Sequence, residues 1–199
     1  MNTVVGGVFE VPPLSWRDIE GVADDLRAAL GLMSTCYFPV GFVIEQVLEE
    51  QLPGYVFDVG DFELMGSAEG ETAPDGSFIR LRDDVYEALH SNDGRARFTA
   101  AHELGHFLLH RNVPMQRATP GSIQTFRNSE AQANHFAACV LMPTNLILPG
   151  MSARDIAHQF CVSAKAAQNR FENLGLKGVH KEKGKAAKFG SFPNLFSRD

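Results

Sequence analysis

Residues 95–111, RARFTAAHELGHFLLHR, decide how the chain is read. On an α-helix, residues four apart lie on one face, about 5–6 Å from each other. His102 and His106 therefore have the spacing to grip one metal ion from a single rigid element, with each imidazole nitrogen about 2.0–2.1 Å from a Zn2+. Glu103, beside the first histidine, is then placed to act on a water molecule and not on the ion. This is the physical content of the H-E-x-x-H pattern: two ligands and a general base on one helix. With 7 histidines in 199 residues, chance would supply such a pentapeptide about 0.02 times per chain of this composition, so coincidence is the poorer explanation. The flanks Thr99 to Ala101 and Phe107 to Leu109 are uncharged, as a buried metal helix requires. Gly105 costs about 1 kcal/mol against alanine inside a helix, which predicts a close backbone approach at that position.

A catalytic zinc site needs a third protein ligand and one open position. His110 is four residues beyond His106, but it lies about 12 Å along the helix axis from His102 and cannot share an ion with both. It is read as structural. The longer pattern, with glycine at 109 and histidine at 112, is absent, because Leu109 and Asn112 stand there. Glu130 opens the next helical stretch and is the best third ligand if that helix returns against the first. Its other reading is a carboxylate favoured by the helix N-terminal dipole. Asn134, one turn on, shares its face and could orient a ligand histidine through a hydrogen bond; its other reading is a buried, satisfied amide. Tyr86, His135 and Arg127 are candidates for an oxyanion donor.

Outward from this centre, SWRDIEGVADDLRAALGL predicts an amphipathic helix with Ser15 as N-cap and Asp18 three residues later. PVGFVIEQVLEEQLPG predicts a second helix from near Pro39, stopped by Pro53-Gly54. YVFDVGDFELMG and SFIRLR alternate like strands. SAEGETAPDGS between them is turn material with a hairpin signal at Asp75-Gly76. DVYEALHS predicts a short helix, and residues 111–128 a long irregular loop. SEAQANHFAACVLMP is a helix closed by Pro143. Two short helices follow, over 152–160 and 163–174, with Gly175 as a stop signal. Their rhythm is that of a helix-turn-helix, with Lys165 and Arg170 expected on the exposed face of the second helix.

Composition bounds the rest. An apolar share of 44% with 21% charged residues is that of a globular protein. No apolar run approaches a membrane span, and the start lacks the pattern of a signal peptide. Three cysteines without CxxC spacing fit a reducing cytoplasm, each read as a small buried apolar residue. Residues 1–163 carry 10 arginines against 21 acids, a net −11, whereas residues 164–199 are net +5, and the first lysine is Lys165. An acidic body repels nucleic-acid phosphates.

RFTAAHELGHFLLH followed by SEAQANHFAACVLMP resembles the ImmA/IrrE family of bacterial metallopeptidases. The positions that carry the resemblance are Arg97, Phe98, Thr99, His102 to His106, Glu130, Ala133, Asn134, Phe136, Ala137, Leu141, Met142 and Pro143. It implies an α+β fold: a zincin-like metallopeptidase core over 1–150 with a small sheet packed on the HExxH helix, and a small helix-turn-helix-like lobe over 151–176; the polar, basic, glycine-containing composition of 177–199 predicts a flexible tail. It implies a gluzincin-like site, with His102, His106 and Glu130 on one Zn2+ (another divalent ion such as Mn2+ being admissible) and Glu103 as base. It implies a cytoplasmic zinc endopeptidase that cleaves a helix-turn-helix repressor protein and so relieves repression in a phage, mobile-element or stress regulon. Direct DNA binding is not expected. The competing reading is a DNA-binding or protein-interaction regulator in which the metal site is structural. The chain departs from the family pattern at Cys161, in a turn often occupied by glycine, in the DDVYEALHSND stretch before the HExxH helix, and in its basic end.

Overall fold

The computed structural model of the chain describes residues 9–119 and 123–176. The basic stretch 177–199 lies outside the described residues.

The fold is α+β. Strand β1 (Phe9–Glu10) precedes α1 (Trp16–Ala29). Ser15 caps α1 as its sequence demands: the Ser15 hydroxyl accepts from the Asp18 N–H, and the Asp18 carboxylate accepts from the Ser15 N–H in return. The next helical stretch starts at α2 (Val40–Phe42), loosens into a π-helical turn (Val43–Val47) and finishes as α3 (Leu48–Gln51). Strand β2 (Val56–Gly60) follows. The strand expected to run on through Phe62 instead stops at Gly60. Asp61 accepts a hydrogen bond from the Leu64 N–H and caps a single turn, α4 (Phe62–Met65). The supposed turn material contains β3 (Gly70–Thr72), which pairs antiparallel with β4 (Phe78–Arg82) across the Asp75-Gly76 turn. Gly76 sits there at φ 75°. Strands β2 and β4 run parallel, so the sheet order is β2-β4-β3 with β3 on an edge.

Helix α5 (Asp83–His90) leads to the central helix α6 (Gly94–His110), capped by the Asp93 carboxylate, which accepts from the Arg95 and Ala96 N–H groups. Most of α6 is buried. The loop beyond it is less irregular than expected. Strand β5 (Gln116–Arg117) pairs antiparallel with β1, and a short 3-10 turn covers Thr125–Arg127. Helix α7 (Ser129–Leu141) follows under the Asn128 cap and packs on both α6 and α1. The core joins these three helices to the inner face of the sheet through Ile19, Ile79, Leu81, Leu104, Phe107, Phe136 and Val140, all buried.

The last two helices, α8 (Ala153–Phe160) and α9 (Ala164–Asn173), are fastened to the body. The turn between them passes so close to the start of α6 that a Cβ on Gly94 would lie 2.4 Å from backbone atoms of Val162 and Ser163. Arg97 donates to the Cys161 carbonyl at 2.9 Å and to the Phe38 carbonyl at 3.0 Å. Arg170, expected on the exposed face, is buried: it donates to the Met142 carbonyl at 3.1 Å and to the Thr144 hydroxyl at 2.9 Å. Lys165 is exposed as expected. Cys161 is also exposed, against its reading as a buried residue, because it takes the left-handed turn conformation (φ 52°) that glycine adopts without cost. Cys139 is buried, and that burial pushes its thiol up to about 11. No described helix is long and apolar enough to cross a membrane.

Two glycine-to-alanine changes should therefore move stability in opposite directions. Gly21, inside α1, has no neighbouring atom within 4 Å of a built Cβ, so Gly21→Ala should stabilise the fold by about 0.5–1 kcal/mol through helix propensity. Gly94→Ala must force the α8–α9 turn off α6 and should destabilise by about 1–3 kcal/mol. Urea denaturation of the two variants checks both signs.

Candidate metal centre

Gly105 brings α6 and α7 together. A Cβ there would lie 3.0 Å from a Phe136 ring carbon, 3.1 Å from the Ala133 carbonyl oxygen and 3.2 Å from its Cα. Asn134 meets His102 and Gln132 meets His110, so the helices run antiparallel and the first turn of α7 lies over the two histidines. That places the Glu130 carboxylate 3.2 Å from His102 Nε2 through Oε2 and 3.3 Å from His106 Nε2 through Oε1. The two Nε2 atoms are 3.0 Å apart.

These distances test the donor set. A tetrahedral ion with N and O ligands at about 2.0–2.2 Å requires neighbouring ligand atoms to be about 3.3–3.5 Å apart. The imidazole–imidazole edge of 3.0 Å, and the distance from each imidazole to its nearer carboxylate oxygen, Oε2 at 3.2 Å for His102 and Oε1 at 3.3 Å for His106, fall within a few tenths of an ångström of that, and the borderline imidazole–imidazole–carboxylate chemistry suits zinc. His102, His106 and Glu130 are the cluster of potential metal-holding side chains found among the described residues. All three are partly buried, with a face open to solvent. Burial alone would push the Glu130 carboxyl upward, but hydrogen bonds from His102 and His106 and their charges outweigh it and hold it well below the usual carboxylate range. Burial likewise pulls His102 down, yet its bond to Glu130 and the charges of Glu103 and Glu130 leave it raised.

Glu103 points elsewhere. It is buried, and its Oε2 accepts from the Thr72 hydroxyl at 2.7 Å. The same hydroxyl lies 3.0 Å from the Glu103 carbonyl oxygen. A Cβ on Gly70 would sit 2.6 Å from Glu103 Cγ, so edge strand β3 presses against this side chain. Asn134, half of an open question in the sequence, is exposed and not a buried amide, and its Oδ1 is 3.1 Å from His102 Nδ1. His110 is buried on the far side of His106, with its Nδ1 3.0 Å from His106 Nδ1 and its Nε2 2.9 Å from Gln132 Oε1. Burial and the neighbouring His106 push it down to about 4.

The three oxyanion candidates are engaged elsewhere. Tyr86 packs on Phe57 and His90, His135 stacks on Trp16 with ring centroids 4.6 Å apart, and Arg127 pairs with Glu10 at 2.7 Å. Thr72 and Gln132 escape a reading of the sequence. Thr72 lies in a three-residue strand hidden inside a turn-rich stretch, with no local signal. Gln132 carries a weak one, a polar residue on a face of α7 otherwise given to core.

An α+β fold that holds an HExxH helix against a helix bearing a second acid, Glu130, has the arrangement expected of the metallopeptidase type. Residues 71–172, just over half of the chain, match the IrrE N-terminal-like domain, Peptidase_M78, and the chain belongs to that family. Its fold is similar to that of a Mycobacterium tuberculosis transcriptional regulator, at a TM-score of 0.52 and 14% identity, over 84% of this chain and 49% of that one. The chain thus spans about half the length of that regulator. No curated protein matches it.

Because Gly105 sets the α6–α7 spacing, Gly105→Ala should push Glu130 away from the histidines. Zn2+ affinity, measured by chelator competition, should fall at least tenfold while far-ultraviolet circular dichroism stays that of wild type. An unchanged affinity would show that the spacing has slack.

Proposed function

We propose that the chain is a zinc-dependent endopeptidase that cleaves a helix-turn-helix transcriptional repressor and so relieves repression. The observation that carries this reading is the convergence of His102 Nε2, His106 Nε2 and Glu130 at 3.0–3.3 Å with Glu103 held apart from them on Thr72. His102, His106 and Glu130 would hold the ion, and Glu103 would be the base. Bound there, Zn2+ would supply Lewis-acid polarisation of a carbonyl and lower the pKa of water. Glu103 would take a proton from the attacking water and deliver it to the leaving amine. Thr72 would keep the carboxylate oriented by its one hydroxyl bond. Asn134 would fix the ring of His102 through Nδ1.

A peptide substrate has a natural track. Strand β3 pairs with β4 on one side only, and its residue Thr72 touches the base. An extended segment adding to the free edge would gain main-chain hydrogen bonds and pass beside Glu103. In this reading residues 1–150 form a zincin-like core. Residues 151–176 form a helix-turn-helix-like lobe that braces α6, with the basic stretch beyond it.

The DNA-binding alternative is weaker, because Arg170 is spent on the Met142 carbonyl and the inter-helix turn is pressed against Gly94. It predicts salt-dependent retention on a DNA column, which the peptidase reading does not.

Elemental analysis should find about one zinc per chain, with His106→Ala and Glu130→Ala losing most of it. Glu103→Gln should keep the metal and the fold but lose cleavage of a repressor encoded beside this gene by about 10²–10⁴-fold. Full metal in Glu130→Ala would remove the third ligand. Near wild-type cleavage by Glu103→Gln would sink the mechanism.

A further inference from the structure

Gln132 is fully buried, and its amide is held in one orientation. Its Nε2 donates to the Pro12 carbonyl at 3.0 Å and to the Phe126 carbonyl at 2.8 Å. A flipped amide would set its own oxygen against two carbonyl oxygens, leaving the Phe126 carbonyl with only the Leu14 N–H and taking the Gln132 donor from that of Pro12, at a cost on the scale of lost buried hydrogen bonds. The Gln132 Oε1 must therefore face His110 Nε2 at 2.9 Å, and that nitrogen must carry a proton. A neutral imidazole has one N–H. With it committed to Gln132, His110 Nδ1 offers a lone pair to the His106 Nδ1 that lies 3.0 Å away. His106 then keeps a proton on Nδ1, so that when the proton its Nε2 lends to Glu130 is given up it is Nε2, and not Nδ1, that is left bare.

We propose that Gln132 and His110 form a buried relay that locks His106 into the one tautomer able to bind a metal through Nε2, and that His110 is thereby a positioning residue of the site. The inference rests on the metal-site reading given above. It separates the two ligand histidines. His106 is fixed by a chain of buried groups that ends on two backbone carbonyls. His102 leans on Asn134, an exposed amide. The carbonyls that anchor the relay belong to the strap before α1 and the turn before α7, so four separate segments specify one proton position.

The tautomer can be read without metal and without a variant. Long-range ¹H–¹⁵N correlation spectra of the metal-free wild-type protein should show His106 protonated at Nδ1 and His110 at Nε2. In parallel, Zn2+ affinity should be measured by chelator competition for three variants. His110→Leu keeps bulk and removes the acceptor, and should weaken binding by about 10–100-fold. His110→Asn restores an acceptor oxygen near the place of Nδ1, and should recover at least half of that loss on a logarithmic scale. Glu130→Ala tests the site itself. A His106 without a proton on Nδ1 in the wild-type protein overturns the relay whatever the variants do, as does a large loss in Glu130→Ala with none in His110→Leu, which leaves the metal reading intact. Equal losses in His110→Leu and His110→Asn mean that the residue acts by packing and also overturn it. Wild-type affinity in all three variants, with the expected tautomers present, refutes the metal reading and with it the role of the relay.

Discussion

Where Gly105 faces Ala133 and the edge of the Phe136 ring, two helices meet too closely for a side chain on α6, and that spacing decides which atoms can share an ion. A histidine pair on one helix supplies two corners of a coordination polyhedron by its spacing alone. In the proposed site the third corner comes from a different part of the chain, and only a close helix–helix approach delivers a side chain as short as glutamate to it. The distances of 3.2 and 3.3 Å from Glu130 to the two imidazoles are the measure of that approach. The helix-propensity cost of a glycine in α6 is thus set against the geometry of the site.

Around this centre the protein keeps irregular backbone in place with buried arginines. Arg27 donates to the carbonyls of Val140 and Leu32, each at 2.7 Å, and to that of Thr35. Arg97 serves Phe38 and Cys161, and Arg170 serves Met142. Each lies at 3% exposure or less. A guanidinium presents five donors in a fixed fork and loses its hydration more readily than an ammonium, so one side chain can serve several carbonyls at once. Lysine, with a compact and strongly hydrated charge, would be a poor substitute, and the sequence uses none before Lys165. Burial lowers the pKa of Arg27 and Arg97, but an arginine starts high enough to stay charged.

The site was legible in the sequence to the extent that it is local. His102, Glu103 and His106 are three positions on one helix, and a 3.6-residue period is enough to place them. Gly105 announced a close contact through its cost in a helix. Glu130 could be reached because a helix of that length, following a loop, tends to fold back on its neighbour. Thr72 could not be reached: its strand is three residues long, lies among glycines and acids, and exists because β4 pairs with one of its edges and α6 packs on it. The short α4 replaced a predicted strand for a related reason, since the Asp61 cap outweighed the alternation of the residues after it. Arg170 was misjudged because the helical period gives faces but not what packs on them. His110 was read as structural, and it does sit too far from His102 to share the ion. What the spacing could not show was the fixed amide behind it, which depends on carbonyls 120 and 6 residues away from Gln132.

Gly94 has a consequence for how such a chain can be recombined. Its missing side chain is the space through which the α8–α9 turn reaches the head of α6, and Arg97 completes the joint. A break at residue 150 would uncover a glycine at the exposed start of α6 and strand a guanidinium whose carbonyl partner at Cys161 had gone. Exchange with a foreign pair of helices would succeed only if the incoming turn brought a carbonyl to the same place and kept its backbone as near. The last two helices are therefore one joint with α6, and a change on either side of it would call for a matching change on the other.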